Sequence, residues 1–329
     1  MQYRAPSHAA ERIVVAAAAD DTYALPLAVM LRSAAGNLAE GSSVDAYVAS
    51  DGLSSQTLDR VESAIPPTMR VHWVPRTTEE FAGFPCWGRM SLGTYHKTTL
   101  GSWLPSDVGR AIWLDCDTLV SGDLAVLWRT PMGDRTVLAC RDPLIPRLGS
   151  TFGVAGWQDL GLPPDAPYFN AGVMLIDVDR WRELETERRS FDYLHRFGRW
   201  VWFWDQEALN ATLAGEWGFL DDGWNWPPDR RSPPELASEP DGFPWIVHFS
   251  GNLKPWRVPG LGRFFTEYDR WLARTAWAGM RRAPSAADRM LAAYARSPAR
   301  SLLRPIERLH MRWVRWSTKR MKPTAATPS

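Results

Sequence analysis

The stretch Ala111-Ile112-Trp113-Leu114-Asp115-Cys116-Asp117 decides how this chain is read. Four apolar residues are too few for a helix and suit a strand covered on both faces, and the run stops abruptly at two carboxylates. Ile13-Val14-Val15-Ala16-Ala17-Ala18-Ala19, running into Asp20-Asp21, repeats the pattern upstream. Between them, Leu27, Met30, Leu31 and Ala34 predict a helix over 23–38. Val44–Ala49, closed by the turn signal Asp51-Gly52, predicts a second strand. Leu58, Val61, Ala64 and Ile65 predict a second helix, Val71–Val74 a third strand and Tyr95–Leu104 another helix. Strand–helix alternation of this kind implies an α/β fold, a mostly parallel central sheet flanked by helices. Ligands of such sheets bind at the carboxyl ends of strands, which singles out Asp20-Asp21 and Asp115-Cys116-Asp117.

Beyond this half the pattern is less regular. Val137–Cys140, Ala171–Asp177 and Trp245–His248 are strand candidates, and Trp200–Leu213 predicts a Trp-rich helix. The Pro-rich stretch Pro227–Pro244 reads as an ordered loop or lid. Across the 329 residues, 38 Lys+Arg stand against 37 Asp+Glu, a net charge of +1 that excludes a typical whole-domain nucleic-acid binder. Three widely spaced cysteines, Cys86, Cys116 and Cys140, make neither a disulfide framework nor a zinc site. No apolar run is long enough to span a bilayer, and Met1–Glu11 lacks the pattern of a secretory signal, so a cytoplasmic location is expected. The 19 tryptophans suit cores, sugar rings or membrane interfaces alike.

The C-terminal segment differs in kind. Arg300, Arg304, Arg308 and Arg312 fall four apart and continue to Arg315 and Lys319, while Leu302, Ile306, Leu309, Trp313 and Trp316 step by three and four. On a helix these sets separate onto opposite faces, as in a helix lying in a membrane interface. The alternative is a helix docked on the core with a solvated basic side, and Pro305 must then sit in its first turn.

In an extended segment residues two apart point the same way, so Asp115 and Asp117 can face one hard divalent cation. Far downstream, His248-Phe249-Ser250-Gly251-Asn252-Leu253-Lys254-Pro255-Trp256 gathers an imidazole, a glycine that lets backbone approach a ligand, and an ammonium group that can balance a diphosphate. Taken singly each has a plain structural reading. Asp205 can cap the helix that follows it, Asn170 can be a turn residue, and His248 can be a core histidine. Trp200-Val201-Trp202-Phe203-Trp204 reads as core packing, with an acceptor platform as the alternative.

Asp20-Asp21-Thr22-Tyr23, Asp115-Cys116-Asp117, Phe169-Asn170-Ala171-Gly172, Trp204-Asp205-Gln206 and His248-x-x-Gly251-x-x-Lys254-Pro255-Trp256 occur in this order. Together they resemble glycosyltransferase family 8, retaining enzymes of the GT-A fold, from about Ile13 to about Arg257. The nearest likeness is to bacterial lipo-oligosaccharide and lipopolysaccharide α-galactosyltransferases, which share a stretch like Phe81–Pro85 and a similar basic-aromatic tail.

The resemblance implies an Mn²⁺ ion, with Mg²⁺ as second choice, bound by Asp115, Asp117 and His248 and holding the diphosphate of a UDP-hexose. It implies Asp20 and Tyr23 at the nucleoside, Thr22 where close relatives carry Asn, and Cys116 as a spacer inside the nucleotide site. Gly251 and Lys254 would meet the diphosphate. Lys97 stands where relatives carry Arg, and its point charge cannot make the bidentate contact of a guanidinium. Asp142, Asn170, Asp205 and Gln206 would contact the transferred hexose, galactose before glucose. Gln206 lies where the family places a side chain beneath the anomeric carbon; an amide is a poor nucleophile, which favours same-face attack over a covalent intermediate. The expected organisation is an N-terminal tail (1–12), a GT-A domain (13–280) and a basic amphipathic extension (281–329) that meets the inner face of the cell membrane. The expected acceptor is a glycan or glycolipid such as a lipopolysaccharide core. A protein or small-molecule acceptor, or a non-catalytic UDP-sugar-binding scaffold, is the alternative.

Overall fold

Alternate residues of the first strand bury into two different cores. Ile13, Val15 and Ala17 pack with Leu27, Met30 and Leu31 on one side. Val14 and Ala16 pack with Leu100, Trp103, Trp181 and Leu209 on the other. A strand covered on both faces has no polar side, so its sequence is an unbroken apolar run. The computed structural model describes residues 11–87, 90–228, 243–251, 253–258, 262–281 and 284–296. The elements of the first half are β1 (Arg12–Asp20), α1 (Ala24–Gly36), β2 (Ser43–Asp51), α2 (Ser55–Glu62), β3 (Met69–Arg76), α3 (Leu100–Trp103), β4 (Arg110–Leu114) and β5 (Thr118–Val120). Next come α4 (Leu124–Trp128), β6 (Val137–Arg141), β7 (Phe169–Asp177), α5 (Val178–Glu183), α6 (Thr186–Phe197) and α7 (Trp204–Thr212). The last are β8 (Trp217–Phe219), β9 (Ile246–His248), α8 (Arg263–Leu272) and α9 (Ala286–Arg296).

The main sheet has seven strands in the order β3-β2-β1-β4-β7-β6-β8. β7 alone is reversed: it runs antiparallel to both neighbours, whereas β1 with β2, β1 with β4, β2 with β3 and β6 with β8 are parallel. The reversal brings the start of β7, Phe169-Asn170, to the same sheet edge as the carboxyl ends of β1, β4 and β6. Asp20, Asp115, Asn170 and Asp142 therefore line one edge. A second, two-stranded sheet pairs β5 with β9 antiparallel, with Thr118 opposite His248.

The structure corrects several sequence expectations. Tyr95–Leu104 is not one helix: a 3-10 turn covers Leu92–Lys97 and α3 is a single short turn. Thr98 and Thr99 hydroxyls donate back to the Tyr95 and His96 carbonyls, the local competition that disfavours regular helix. Trp200–Leu213 is likewise broken, with Val201 extended and α7 starting only at Trp204. The late strand expected over Trp245–His248 is present as β9, in the small sheet. Residues 229–242 of the Pro-rich stretch and 297–329 of the basic tail lie outside the described residues. Among the described residues no helix is long and apolar enough to cross a membrane.

Helix α8 closes the α1 side through Trp271. A Cβ at Gly36 would lie 2.4 Å from Cη2 of that indole. Gly36→Ala is expected to cost about 1–3 kcal/mol through overpacking. The measurement is a urea titration, in which the midpoint falls while the slope stays constant.

Candidate active site

Asp115 and Asp117 do not lie on an extended segment, as the sequence suggests. They occupy a turn between β4 and β5, closed by the Thr118 amide donating to the Asp115 carbonyl at 3.1 Å and reinforced by the Thr118 hydroxyl at 2.8 Å. Their carboxylates converge all the same, because each end of the turn is held by a different sheet. The Asp115 amide donates to the Gly172 carbonyl of β7, and the Phe249 amide donates to the Asp117 carbonyl, both at 2.9 Å. The second bond extends the β5–β9 ladder and sets His248 against the turn. His248 Nε2 lies 3.2 Å from Asp117 Oδ1 and 3.8 Å from Asp115 Oδ2. One ligand atom from each of the three residues lies within 4.8 Å of the others.

The protonation of the imidazole can be traced back to a backbone amide. Gly172 N–H donates to Asn170 Oδ1, which fixes that atom as oxygen. Asn225 Nδ2 donates to the same oxygen at 2.9 Å, leaving Asn225 Oδ1 to accept the Nδ1 proton of His248 at 2.8 Å. In the neutral ring the lone pair is then on Nε2, aimed at two carboxylates. Three acceptors pointed at one another repel unless a cation lies between them. A divalent metal ion fits this donor set of two carboxylate oxygens and one imidazole. Nothing in the sequence around Asn225 marks it. It reaches His248 because Trp226 zips onto β9: the Trp226 amide donates to the Ile246 carbonyl, and the Trp226 carbonyl accepts in turn from the His248 amide.

Charge balance around the cluster is tight. Lys97, buried in the fold, places Nζ 2.8 Å from Asp205 Oδ2 and 3.0 Å from Asp115 Oδ1. Burial works against its ammonium, but Asp115 and Asp205 more than reverse this and raise its pKa. Burial also pushes the Asp115 carboxyl up; Lys97 opposes the shift and Asp117 reinforces it. Asp117 goes the other way. Despite burial, Lys254 at 2.6 Å holds it below the usual carboxylate range. Three carboxylates thus face two ammonium groups, leaving net negative charge for a cation. Lys254 spends two of its three N–H donors on Asp117 and the Phe249 carbonyl.

The remaining expected residues fall into place around this centre. Asp205 does not cap α7; its carboxylate takes Lys97 and the Thr94 hydroxyl. Asn170 is inside β7 and is not a turn residue. Asp142 accepts the Leu144 and Ile145 amides on one oxygen, and Asn170 Nδ2 and Gln206 Nε2 on the other. Gln206 Oε1 accepts the Ala171 amide. Cys116 faces inward: its thiol donates to the Ala18 carbonyl, and burial together with Asp115 keeps it protonated. Tyr23 packs edge-on against Trp256 at 5.9 Å, and its phenol is pushed up by burial and by the Asp117 charge. Asp20 caps the turn below it by accepting the Tyr23 amide. Thr22 is exposed and Gly251 half-buried; among the described residues neither bonds into the network. Sequence reasoning missed Thr94, Trp113 and Asn225, and gave Gly172, though part of a quoted motif, no role of its own. The Trp113 indole donates to Asp115 at 2.8 Å. A separate groove of about 650 Å³, lined by residues including Trp181, Arg182 and His195, contains none of these residues.

Known proteins resemble this chain over most of its length. The model of Glycosyl transferase family 8 matches residues 14–259, a span that holds every residue of the cluster. The chain belongs to glycosyl transferase family 8. A family 8 relative, General stress protein A of Bacillus subtilis, is 25% identical over 277 residues, covering 80% of this chain and 94% of that protein. Glycosyltransferase GlyF of Streptococcus pneumoniae serotype 4 is 24% identical over 252 residues, covering 75% of this chain and 58% of its own length. Among solved structures, the galactosyltransferase LgtC with donor and acceptor sugar analogues superposes with a TM-score of 0.71 at 24% identity, over 81% of this chain and 99% of that one. That match establishes the fold of this family 8 chain.

Two predictions follow from the geometry. A Cβ at Gly172 would lie 2.1 Å from His248 Cε1. Gly172→Ala should therefore displace the imidazole and, with Mn²⁺ as a probe of the candidate metal site, weaken any binding there roughly 10–100-fold, as losing the support of a ligand does. Titration of free Mn²⁺ by electron paramagnetic resonance reads this out, and unchanged affinity would refute it. The second concerns Glu207, fully buried beside Gln206. Burial pushes its carboxyl up to about 7, although the Trp202 and Ala155 amides pull against it. A raised carboxyl pKa gives stability that is complete below the ordinary value and is lost as pH rises through the folded one. Between about pH 5 and pH 8 the wild type should lose stability relative to Glu207→Gln. Parallel urea-midpoint profiles for the two proteins would contradict this.

Proposed function

We propose that this glycosyltransferase is a retaining hexosyltransferase using a UDP-sugar, galactose before glucose, with a glycan or glycolipid acceptor. The observation that carries the reading is the His248 lone pair, locked by Asn225 onto the two carboxylates of Asp115 and Asp117. Those three residues would hold Mn²⁺, or Mg²⁺ as second choice, whose charge when bound is placed against a diphosphate. The neighbouring galactosyltransferase with donor and acceptor sugar analogues supports the choice of sugar.

Breaking a sugar–phosphate bond leaves positive charge at the anomeric carbon and negative charge on the diphosphate. Lys254, beside Asp117, offsets the second of these as UDP departs. Lys97 ion-pairs with both Asp115 and Asp205 and fixes their carboxylates in place. Asp142 holds the carboxamides of Asn170 and Gln206 in one orientation, ready to meet sugar hydroxyls. Tyr23 and Asp20, at the end of β1, suit the nucleoside. Gln206 has its amide oxygen on Ala171 N–H, and Asp205 is ion-paired. Neither is disposed as a nucleophile, which supports same-face attack. The basic-aromatic tail supports an acceptor at the inner membrane face.

A donor panel with purified protein and Mn²⁺ tests the proposal, reading UDP release without acceptor. UDP-galactose should turn over fastest, and Asp117→Ala should show no metal-dependent release. Lys254→Ala should lower kcat roughly 10²–10³-fold, the cost of removing one preorganised charge-stabilising donor. Absence of release from every UDP-hexose would sink the reading.

A further inference from the structure

Among the described tryptophans one is exposed: Trp87, at 45%. Its ring lies on Trp204, with centroids 4.6 Å apart and planes 35° apart, and meets Trp202 edge-on at 5.7 Å. Trp202 rests in turn on Phe152 at 5.3 Å. The sequence favoured core packing for Trp200–Trp204, yet Trp202, Phe203 and Trp204 are only half-buried.

This surface is held rigidly. Trp204 has φ 43°, in the left-handed region that a bulky side chain avoids. Such a residue costs about 1–3 kcal/mol and persists only where its surroundings impose it, commonly at functional sites. Glu207 braces the two residues before Trp204. One carboxylate oxygen accepts the Trp202 and Phe203 amides; the other accepts the Ala155 amide and the Tyr193 hydroxyl. The clamp ties the aromatic segment before α7 to the loop that carries Phe152. Immediately after Trp204 come Asp205, paired with Lys97 and through it with Asp115, and Gln206. Trp202 and Trp204 thus share one braced stretch of chain with Asp205 and Gln206 of the proposed catalytic centre, and Trp87 packs onto that stretch from a separate segment.

A rigid, electron-rich aromatic face beside a sugar-transfer centre suits the C–H face of a pyranose ring. We propose that Trp87, Trp202 and Trp204 form the seat of the acceptor's sugar ring, with Glu207 as its positioning residue. The acceptor is then a saccharide presenting an apolar ring face, not a protein side chain. The proposal rests on the transferase reading for the word acceptor, but the sugar site can be tested apart from it.

Saturation-transfer NMR on the full chain, with methyl β-D-galactopyranoside as probe and no Mn²⁺, reads the contact directly. The wild type should transfer saturation mainly to protons on one ring face. Trp87→Ala should bind roughly tenfold more weakly, Trp87→Phe should recover most of the loss, and both should melt as the wild type does. Equal transfer in wild type and Trp87→Ala overturns the proposal. So does concentration-dependent dimerisation that vanishes in Trp87→Ala while the probe fails to bind. UDP release by the wild type is measured alongside. If it is absent while Trp87-dependent sugar binding persists, the transferase reading fails and the sugar site stands.

Discussion

Two acidic side chains one residue apart are pressed against an imidazole more than a hundred residues away, and the site is organised around that repulsion. The contact follows from strand pairing. β5 leaves the turn that holds Asp115 and Asp117 and pairs with β9, so the Phe249 amide reaches the Asp117 carbonyl and His248 falls opposite Thr118. Burying like charges this closely is unfavourable unless cations compensate. Lys254 and Lys97 compensate in part, which is why Asp117 is held low and Lys97 high in pKa. The unmet remainder leaves a negatively charged centre whose donor set suits a divalent ion.

The polar groups around this centre form one connected network in which each orientation dictates the next. A single backbone amide, that of Gly172, sets the Asn170 carboxamide, which sets Asn225, which sets the imidazole. On the other side Asn170 and Gln206 share one oxygen of Asp142. Side chains restrained in this way do not reorganise when substrate arrives, the condition under which electrostatic stabilisation is most effective. The same logic holds at the aromatic surface, where one buried carboxylate fixes two segments of backbone.

Much of the fold was legible because buried parallel strands leave an unmistakable apolar signature. β1, β2, β4 and β6 were placed to within one or two residues, as was α1, whereas the second helix was read through Ala64 and Ile65 although α2 ends at Glu62. The errors cluster where side chains bond their own backbone. Thr98 and Thr99 break the helix expected over 95–104, and Glu207 takes the amides that would have lengthened α7. The D-x-D pair was read as extended and proved to be a turn; the prediction of convergence survived because the flanking sheets, not the local conformation, aim the carboxylates.

Residue type and order along the chain determined the α/β class and the acidic strand ends. They also singled out Asp115, Asp117, His248 and Lys254 as a candidate centre, whereas Lys97, Asp142, Asn170, Asp205 and Gln206 were reached only through the resemblance to family 8. These are local chemical properties, written wherever an apolar run ends in a carboxylate or an imidazole sits beside a glycine and a lysine. Tertiary structure alone decided the reversal of β7, which brings Asn170 to the edge shared by Asp115 and Asp142. It also decided the supporting roles of Asn225, Thr94 and Gly172, and the exposure of Trp87. Their importance arises from contacts between segments distant in sequence, and no local pattern records which amide will lie 2.8 Å from which ring nitrogen.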